Sequence, residues 1–250
     1  MPVLQVSGAA LWYEDVGGTG TPVVFLHPAS GSAASWRFQL SPFSEAGYRC
    51  ITYDLRGWGR STSAGDPGCM SDDLAALVDS LGLARFVLVG AAYGGFGALD
   101  YALRFPDRLL ALVLSGTQGG IADPEYVSLR ERVVAPPVRG LPLEFRELGP
   151  SYRARDPSGV QEWLEITRAE GHARQRMHLH VSLGMLAQLS MPTLFVAGGA
   201  DLLAPPGLMR VMAARVSNHE FVTLCETGHC IHWEEPEEWS RLVLDFLSRQ

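Results

Sequence analysis

Lysine is missing from this 250-residue chain, so all 20 of its cationic side chains are arginine. Schiff-base chemistry through an ε-amino group is thereby excluded. A positive surplus is missing too: 27 aspartates and glutamates outnumber the arginines and leave a formal charge of -7. Nothing is in excess to neutralise phosphates, which argues against nucleic acid or an anionic membrane surface and leaves small molecules as the expected partners. Cysteine is scarce, and Cys50, Cys69, Cys225 and Cys230 show no Cys-x-x-Cys spacing. Buried or inert thiols in a reducing compartment are expected, not a disulfide framework. No apolar stretch approaches a membrane span, and Met1-Pro2-Val3-Leu4-Gln5 has neither a basic nor an apolar leader region. Both observations point to a cytoplasmic protein. Metal-ligand spacing is absent among the 7 histidines, and no metal or cofactor is expected.

What is present is a regular alternation. Val3 to Val6 and Leu11 to Val16 read as an opening hairpin. Short runs at 23–27, 49–54, 85–90, 109–115, 193–198 and 220–225 are β-branched and apolar on both faces, as buried parallel strands are. Helical patterns separate them. Ser71-Asp72-Asp73 offers an N-cap and first-turn acids ahead of Leu74, Leu77, Val78 and Leu81, and Pro236 opens a final helix with Trp239, Leu242, Val243, Phe246 and Leu247 on one face. The alternation implies an α/β fold with a mostly parallel, doubly wound sheet. Residues 121–190 break the rhythm: no buried strand, prolines at 136, 137, 142, 150 and 157, and helical patterns at Val160-Trp163-Leu164 and from Met177 to Leu189. They are expected to form an insertion, with 1–120 and 191–250 as the core.

One absence falls on chemistry. The run ending in Val89 continues as Gly90-Ala91-Ala92-Tyr93-Gly94 and then a helical stretch. This is the strand–turn–helix setting of a nucleophile elbow, with a methyl group where a hydroxyl would attack. Further segments extend the pattern in order: Val23-Val24-Phe25-Leu26-His27-Pro28-Ala29, then Asp54-Leu55-Arg56-Gly57-Trp58-Gly59-Arg60-Ser61, then Gly198-Gly199-Ala200-Asp201 before Pro205, then Glu226-Thr227-Gly228-His229 with Glu234-Glu235-Pro236. Together they resemble the α/β-hydrolase fold superfamily, of serine esterase or lactonase type, from about Leu11 to the C-terminus. Two departures stand out: Ala92 at the elbow, and Pro28 where the oxyanion loop usually has glycine.

The resemblance implies roles. His229 is the expected proton shuttle and Asp201 the acid that orients its ring. A hydrogen-bonded core histidine and a turn-forming aspartate are the structural alternatives for the two. Backbone N–H groups of Tyr93 and Ala29 are the expected oxyanion donors, because Pro28 has none to give. His27, Arg56, Gly57 and Gly59 are expected to shape loops, His232 at most to line the pocket, and His172, His178, His180 and His219 to face solvent or the insertion. Ser30 and Ser32 lie near the oxyanion loop but not in the nucleophile's place. The insertion is expected to be a helical cap that sets specificity, with Trp163, Tyr126, Tyr152 and Phe145 as a candidate aromatic wall or, equally, as helix-packing residues. Its arginines, Arg168, Arg174 and Arg176, are read with Glu162, Glu165 and Glu170 as a solvated mixed-charge face. Ala92 leaves three readings open: an ester or lactone hydrolase whose elbow serine has been replaced, so that it binds without turnover; a nucleophile-independent lyase, cyclase or cofactor-free oxygenase using the His229–Asp201 dyad; or a binding protein.

Overall fold

The computed structural model describes residues 2–134, 136–167 and 174–250. Eight strands form one sheet in the order β1-β2-β4-β3-β5-β6-β7-β8. They are β1 Val3–Val6, β2 Ala9–Asp15, β3 Pro22–Leu26, β4 Arg49–Tyr53, β5 Phe86–Ala91, β6 Leu109–Ser115, β7 Thr193–Gly198 and β8 His219–Leu224. β1 pairs antiparallel with β2, and β2 with β4. Every other pairing is parallel, with Val24 opposite Ile51 on one side and Leu88 on the other. Successive side chains leave opposite faces of a strand. Val24, Leu26 and Leu88 accordingly join one core with Leu74, Leu77 and Met209, while Val23, Phe25 and Val89 join another with Trp36, Trp239 and Val243. Burial on both faces is why these strands read as unbroken apolar runs.

Helices cover both faces. They are α1 Arg37–Glu45, α2 Met70–Ser80, α3 Tyr93–Arg104, α4 Pro124–Val133, α5 Leu143–Glu147, α6 Pro150–Arg155, α7 Pro157–Thr167, α8 Pro206–Ala213, α9 Ile231–Glu234 and α10 Pro236–Leu247. Ser71 is not the N-cap of α2: the cap position is Cys69, and the Ser71 hydroxyl, inside the first turn, donates to the buried carboxylate of Asp100. Asp73 does sit in the first turn, where it forms a buried ion pair with Arg56 at 2.6 Å. No helix of the described residues is long and apolar enough to cross a membrane.

Between β6 and β7 the chain forms α4 to α7, and several of its prolines open helices instead of ending them: Pro124, Pro150 and Pro157 each stand at a helix start, where the missing N–H costs nothing. The expected helix from Met177 to Leu189 does not form; only a 3-10 turn at Leu183–Gln188 does. The N–H groups that a helix would use are taken elsewhere. Arg176 N–H donates to Gly68 O at 2.9 Å, and His178 and Leu179 N–H donate to Asp100 at 3.0 and 2.8 Å. The segment is thereby laid against the start of α2 as a short parallel bridge between Cys69 and Arg176. Leu148, Tyr152, Val160 and Trp163 pack on Cys230 and Trp233, which seats the insertion on the segment that carries His229. His172, Arg168 and Glu170 lie outside the described residues.

Candidate active site

Ala92 follows β5 directly and has φ 49° and ψ −112°, a conformation that a residue with a β-carbon holds only under strain. The surroundings enforce it. Ala92 N–H donates to Ser115 O at 3.0 Å, and Thr117 Oγ1 donates to Ala92 O at 2.7 Å. Gly94 allows the first turn of α3 to approach β3, since a β-carbon there would lie 2.3 Å from Leu26 O. The elbow geometry is thus fully built around a residue with no functional group.

His229 and Asp201 come together from the loops after β8 and β7. Nδ1 of His229 donates to Asp201 Oδ2 at 2.8 Å, and Asp201 Oδ1 accepts N–H bonds from Leu203 at 2.7 Å and Ala204 at 2.9 Å. One carboxylate therefore both closes the turn and hydrogen-bonds the ring. Burial presses the His229 pKa down, but the charge and hydrogen bond of Asp201, helped by Glu147 and Glu234, outweigh it and hold the pKa above the ordinary 6.5. The His229 main chain is fixed from the insertion: its N–H donates to Glu147 O at 2.7 Å.

An inner cavity of about 190 Å³ is lined by Ala29, Ser30, Ala92, Tyr93, Glu147 and His229, among others. The N–H groups of Ala29 and Tyr93 are taken by no hydrogen bond among the described residues. Past Phe96, Gln118 and Leu203 the cavity continues into an outer chamber of about 610 Å³, with Trp58 and several arginines in its wall. Tyr93 and Phe96 supply aromatic surface to both chambers. The aromatic wall expected from the insertion is not there: Trp163 and Tyr152 pack inward, Tyr126 is core, and Phe145 is 49% exposed.

Other expectations separate in the same way. His27 is fully buried, accepts from Leu55 N–H at 2.9 Å and bonds Pro28 O at 2.7 Å, a loop-shaping neutral imidazole whose pKa burial lowers. His232 lines neither chamber; it stacks on Trp36 at 4.2 Å, and burial, with the neighbouring His229, pushes its pKa down to about 3. Ser32 caps the 3-10 turn at Ala33–Trp36. Cys50 and Cys230 are buried as expected, whereas Cys225 is exposed. Donor atoms of Cys69, Asp72 and His178 lie within 4.8 Å of one another, a proximity their sequence separation hides, although Asp72 is already bonded to Arg104 at 2.6 Å.

Sequence reasoning missed two carboxylates. Glu147, at the end of α5, is buried in the cavity wall and accepts from the Ser30 hydroxyl. Glu234 accepts N–H bonds from Gly149 at 2.8 Å and Gly228 at 2.9 Å, and burial pushes its pKa up to about 7 despite them. Glu147 carries no local motif. Glu234 had one, in the Glu-Glu-Pro run, but a run cannot say which acid turns inward.

A strand, a strained turn at Ala92 and a helix border the same cavity as His229, which is hydrogen-bonded to Asp201. The alpha/beta hydrolase fold family model matches residues 21–138. The chain is also 30% identical, over 95% of its length and 90% of the relative's, to a 2-hydroxy-6-oxononadienedioate/2-hydroxy-6-oxononatrienedioate hydrolase from Burkholderia vietnamiensis. It belongs to the α/β-hydrolase fold family. Among solved structures, a thermophilic esterase from Thermogutta terrifontis superposes with a TM-score of 0.77 at 30% identity, covering 96% of this chain and 94% of that one. An enol-lactonase from Burkholderia xenovorans superposes with a TM-score of 0.80, covering 99% and 100%, but at 22% identity that likeness speaks for the fold alone.

Proposed function

We propose that the protein binds a small carbonyl compound, an ester or lactone, with the carbonyl oxygen between the N–H groups of Ala29 and Tyr93 and the carbonyl carbon above Ala92. As the chain stands, no acyl-enzyme forms, because a methyl group has no lone pair to attack with. The insertion acts as the cap over this site. The observation that carries the reading is the retained pairing of a strained elbow at Ala92 with an oriented Asp201–His229 dyad. Strain of this kind costs about 1–3 kcal/mol and is kept where a site needs it.

The test is to supply the missing atom. Ala92→Ser should switch on hydrolysis of small activated esters or lactones by several orders of magnitude, in keeping with what loss of a triad nucleophile costs. The serine hydroxyl would lose its proton to His229 as it attacks, and the imidazolium would return that proton to the leaving group. In that background His229→Ala should remove most of the gain, and Asp201→Asn a large part of it. Activity should rise with pH through a value above 6.5, because only neutral imidazole accepts the proton and Asp201 holds the His229 pKa up. A folded Ala92→Ser protein that binds esters and lactones yet hydrolyses none of a broad panel defeats this reading.

One observation favours a second reading. Glu147 places another carboxylate in the same cavity, hydrogen-bonded by Ser30. With His229 it gives the unaltered chain two proton-handling groups, as a nucleophile-independent lyase or cyclase needs. Chemical conversion of a bound ligand by the Ala92 protein, lost in Glu147→Gln, would support it; ligand recovered unchanged would favour a binding protein. Ester, lactone, thioester and carbon–carbon bond cleavage are not separated by the sequence, and the hydroxy-oxo-dienedioate named for the Burkholderia relative, which has no ester or lactone, keeps carbon–carbon cleavage among the candidate reactions.

A further inference from the structure

The outer chamber differs in charge from the rest of the molecule. Arg130, Arg139, Arg146 and Arg174 line it, against two carboxylates, Glu131 and Glu147, in a protein of formal charge -7. Elsewhere, buried Arg56 and half-buried Arg49 are paired at short range, with Asp73 and Asp15, each at 2.6 Å. Among the described residues, Arg130, Arg139 and Arg174 make no ion pair. Arg146 reaches only Glu147, at 3.4 Å, and its buried Nε has no hydrogen-bond partner. Last-turn positions on α4 and α5 account for Arg130 and Arg146 one at a time, as compensation of helix dipoles. They do not account for the convergence of these two with Arg139 and Arg174, which lie on other segments. Leaving a guanidinium donor buried and unpaired is unfavourable unless a ligand completes it. That penalty falls on Arg146 Nε; Arg139 and Arg174 are exposed, and Arg174 lines the chamber while staying solvated, as expected from the sequence.

We propose that the outer chamber is an anion subsite, and that the substrate carries a carboxylate which these arginines hold while its reacting carbonyl lies over Ala92. The proposal rests on the carbonyl-binding reading of the inner cavity and adds an orientation to it. Glu147 lines both chambers and disfavours a carboxylate at the inner end, so an acid would be held with its carbonyl toward Ala92. An excess of two positive charges over negative in the wall suits a carboxylate monoanion, and the guanidinium fork matches its two oxygens.

Monomethyl adipate and dimethyl adipate test this, since they share an ester and differ by one carboxylate. Titrated calorimetrically into the full chain at low ionic strength, the monoester should bind about tenfold more tightly, the gain expected of a charge-assisted contact in a partly solvated site. Adipate itself should bind less well than the monoester, because one of its carboxylates must face Glu147. In Arg146→Gln/Arg174→Gln the ratio of the two affinities should fall to about one. Arg139→Gln, at an exposed side chain, gives a version that leaves the packing alone and should lower the preference in part. Equal affinities in the unaltered protein, or a preference that survives in both variants, overturn the anion subsite. Ala92→Leu, which fills the inner cavity, should weaken both ligands; if it leaves dimethyl adipate unaffected, the carbonyl-binding reading fails, whatever the ratio of the two affinities shows.

Discussion

Single residues decide the chemistry, and several do so through backbone geometry. Gly94 is one: a β-carbon added there would meet Leu26 O at 2.3 Å, so Gly94→Ala must push α3 off β3. A loss of about 3 kcal/mol is expected, read as a lower denaturant midpoint at unchanged slope. Glu234 is another. Its pKa lies near 7 in the folded protein, against an ordinary 4.5. Between those values the folded state holds a proton that the unfolded state has released, so the contribution of Glu234 to stability is greatest below about pH 4.5 and falls as pH rises toward 7, by a few kcal/mol at most. His229, also raised, contributes a fall of the same sign at higher pH. Urea melts of Glu234→Gln across this range should show a shallower slope than the parent; an identical pH dependence would place the proton elsewhere.

At the scale of elements, the sheet was legible because burial on both faces leaves β3, β5, β6 and β7 almost wholly apolar, with polar side chains only at Ser115 and Thr193 on strand ends. The elbow, acid and histidine loops were legible for a similar reason: each is a turn at a strand end, with glycines marking close approach. The path after Arg174 was not legible, because its periodicity is helical while its N–H groups are claimed by Asp100, a partner nearly eighty positions away. Glu147 was hidden for the same reason, since only the docking of α5 turns that carboxylate into the cavity. This docking depends on a small separate core. Trp163, 2% exposed, packs there with Trp233 and Tyr152. Trp163→Ala should cost about 3–5 kcal/mol if the insertion and the sheet unfold together. If they unfold separately, amide exchange from His229 to Glu234 should accelerate while that of β5 and β6 stays slow.

For the whole molecule, charge separates two surfaces. With four arginines lining one cavity, the proposed anion subsite would draw a carboxylate toward one opening of a molecule that, at a formal charge of -7, repels it on average. Association of a carboxylate ligand should therefore slow with added salt less steeply than for a uniformly cationic binder, because screening removes the repulsion and the attraction together. The hydrogen bond from His229 N–H to Glu147 O has a different consequence, one of timing. It joins the His229 loop to a segment more than eighty residues earlier, across β7 and β8, and the closure of so long a loop comes late in folding. During refolding from urea, the sheet and its helices should report recovery in far-ultraviolet circular dichroism before the protein regains the ability to bind ligand. Binding competence would then mark the completed chain, so that partly folded molecules would not compete for substrate.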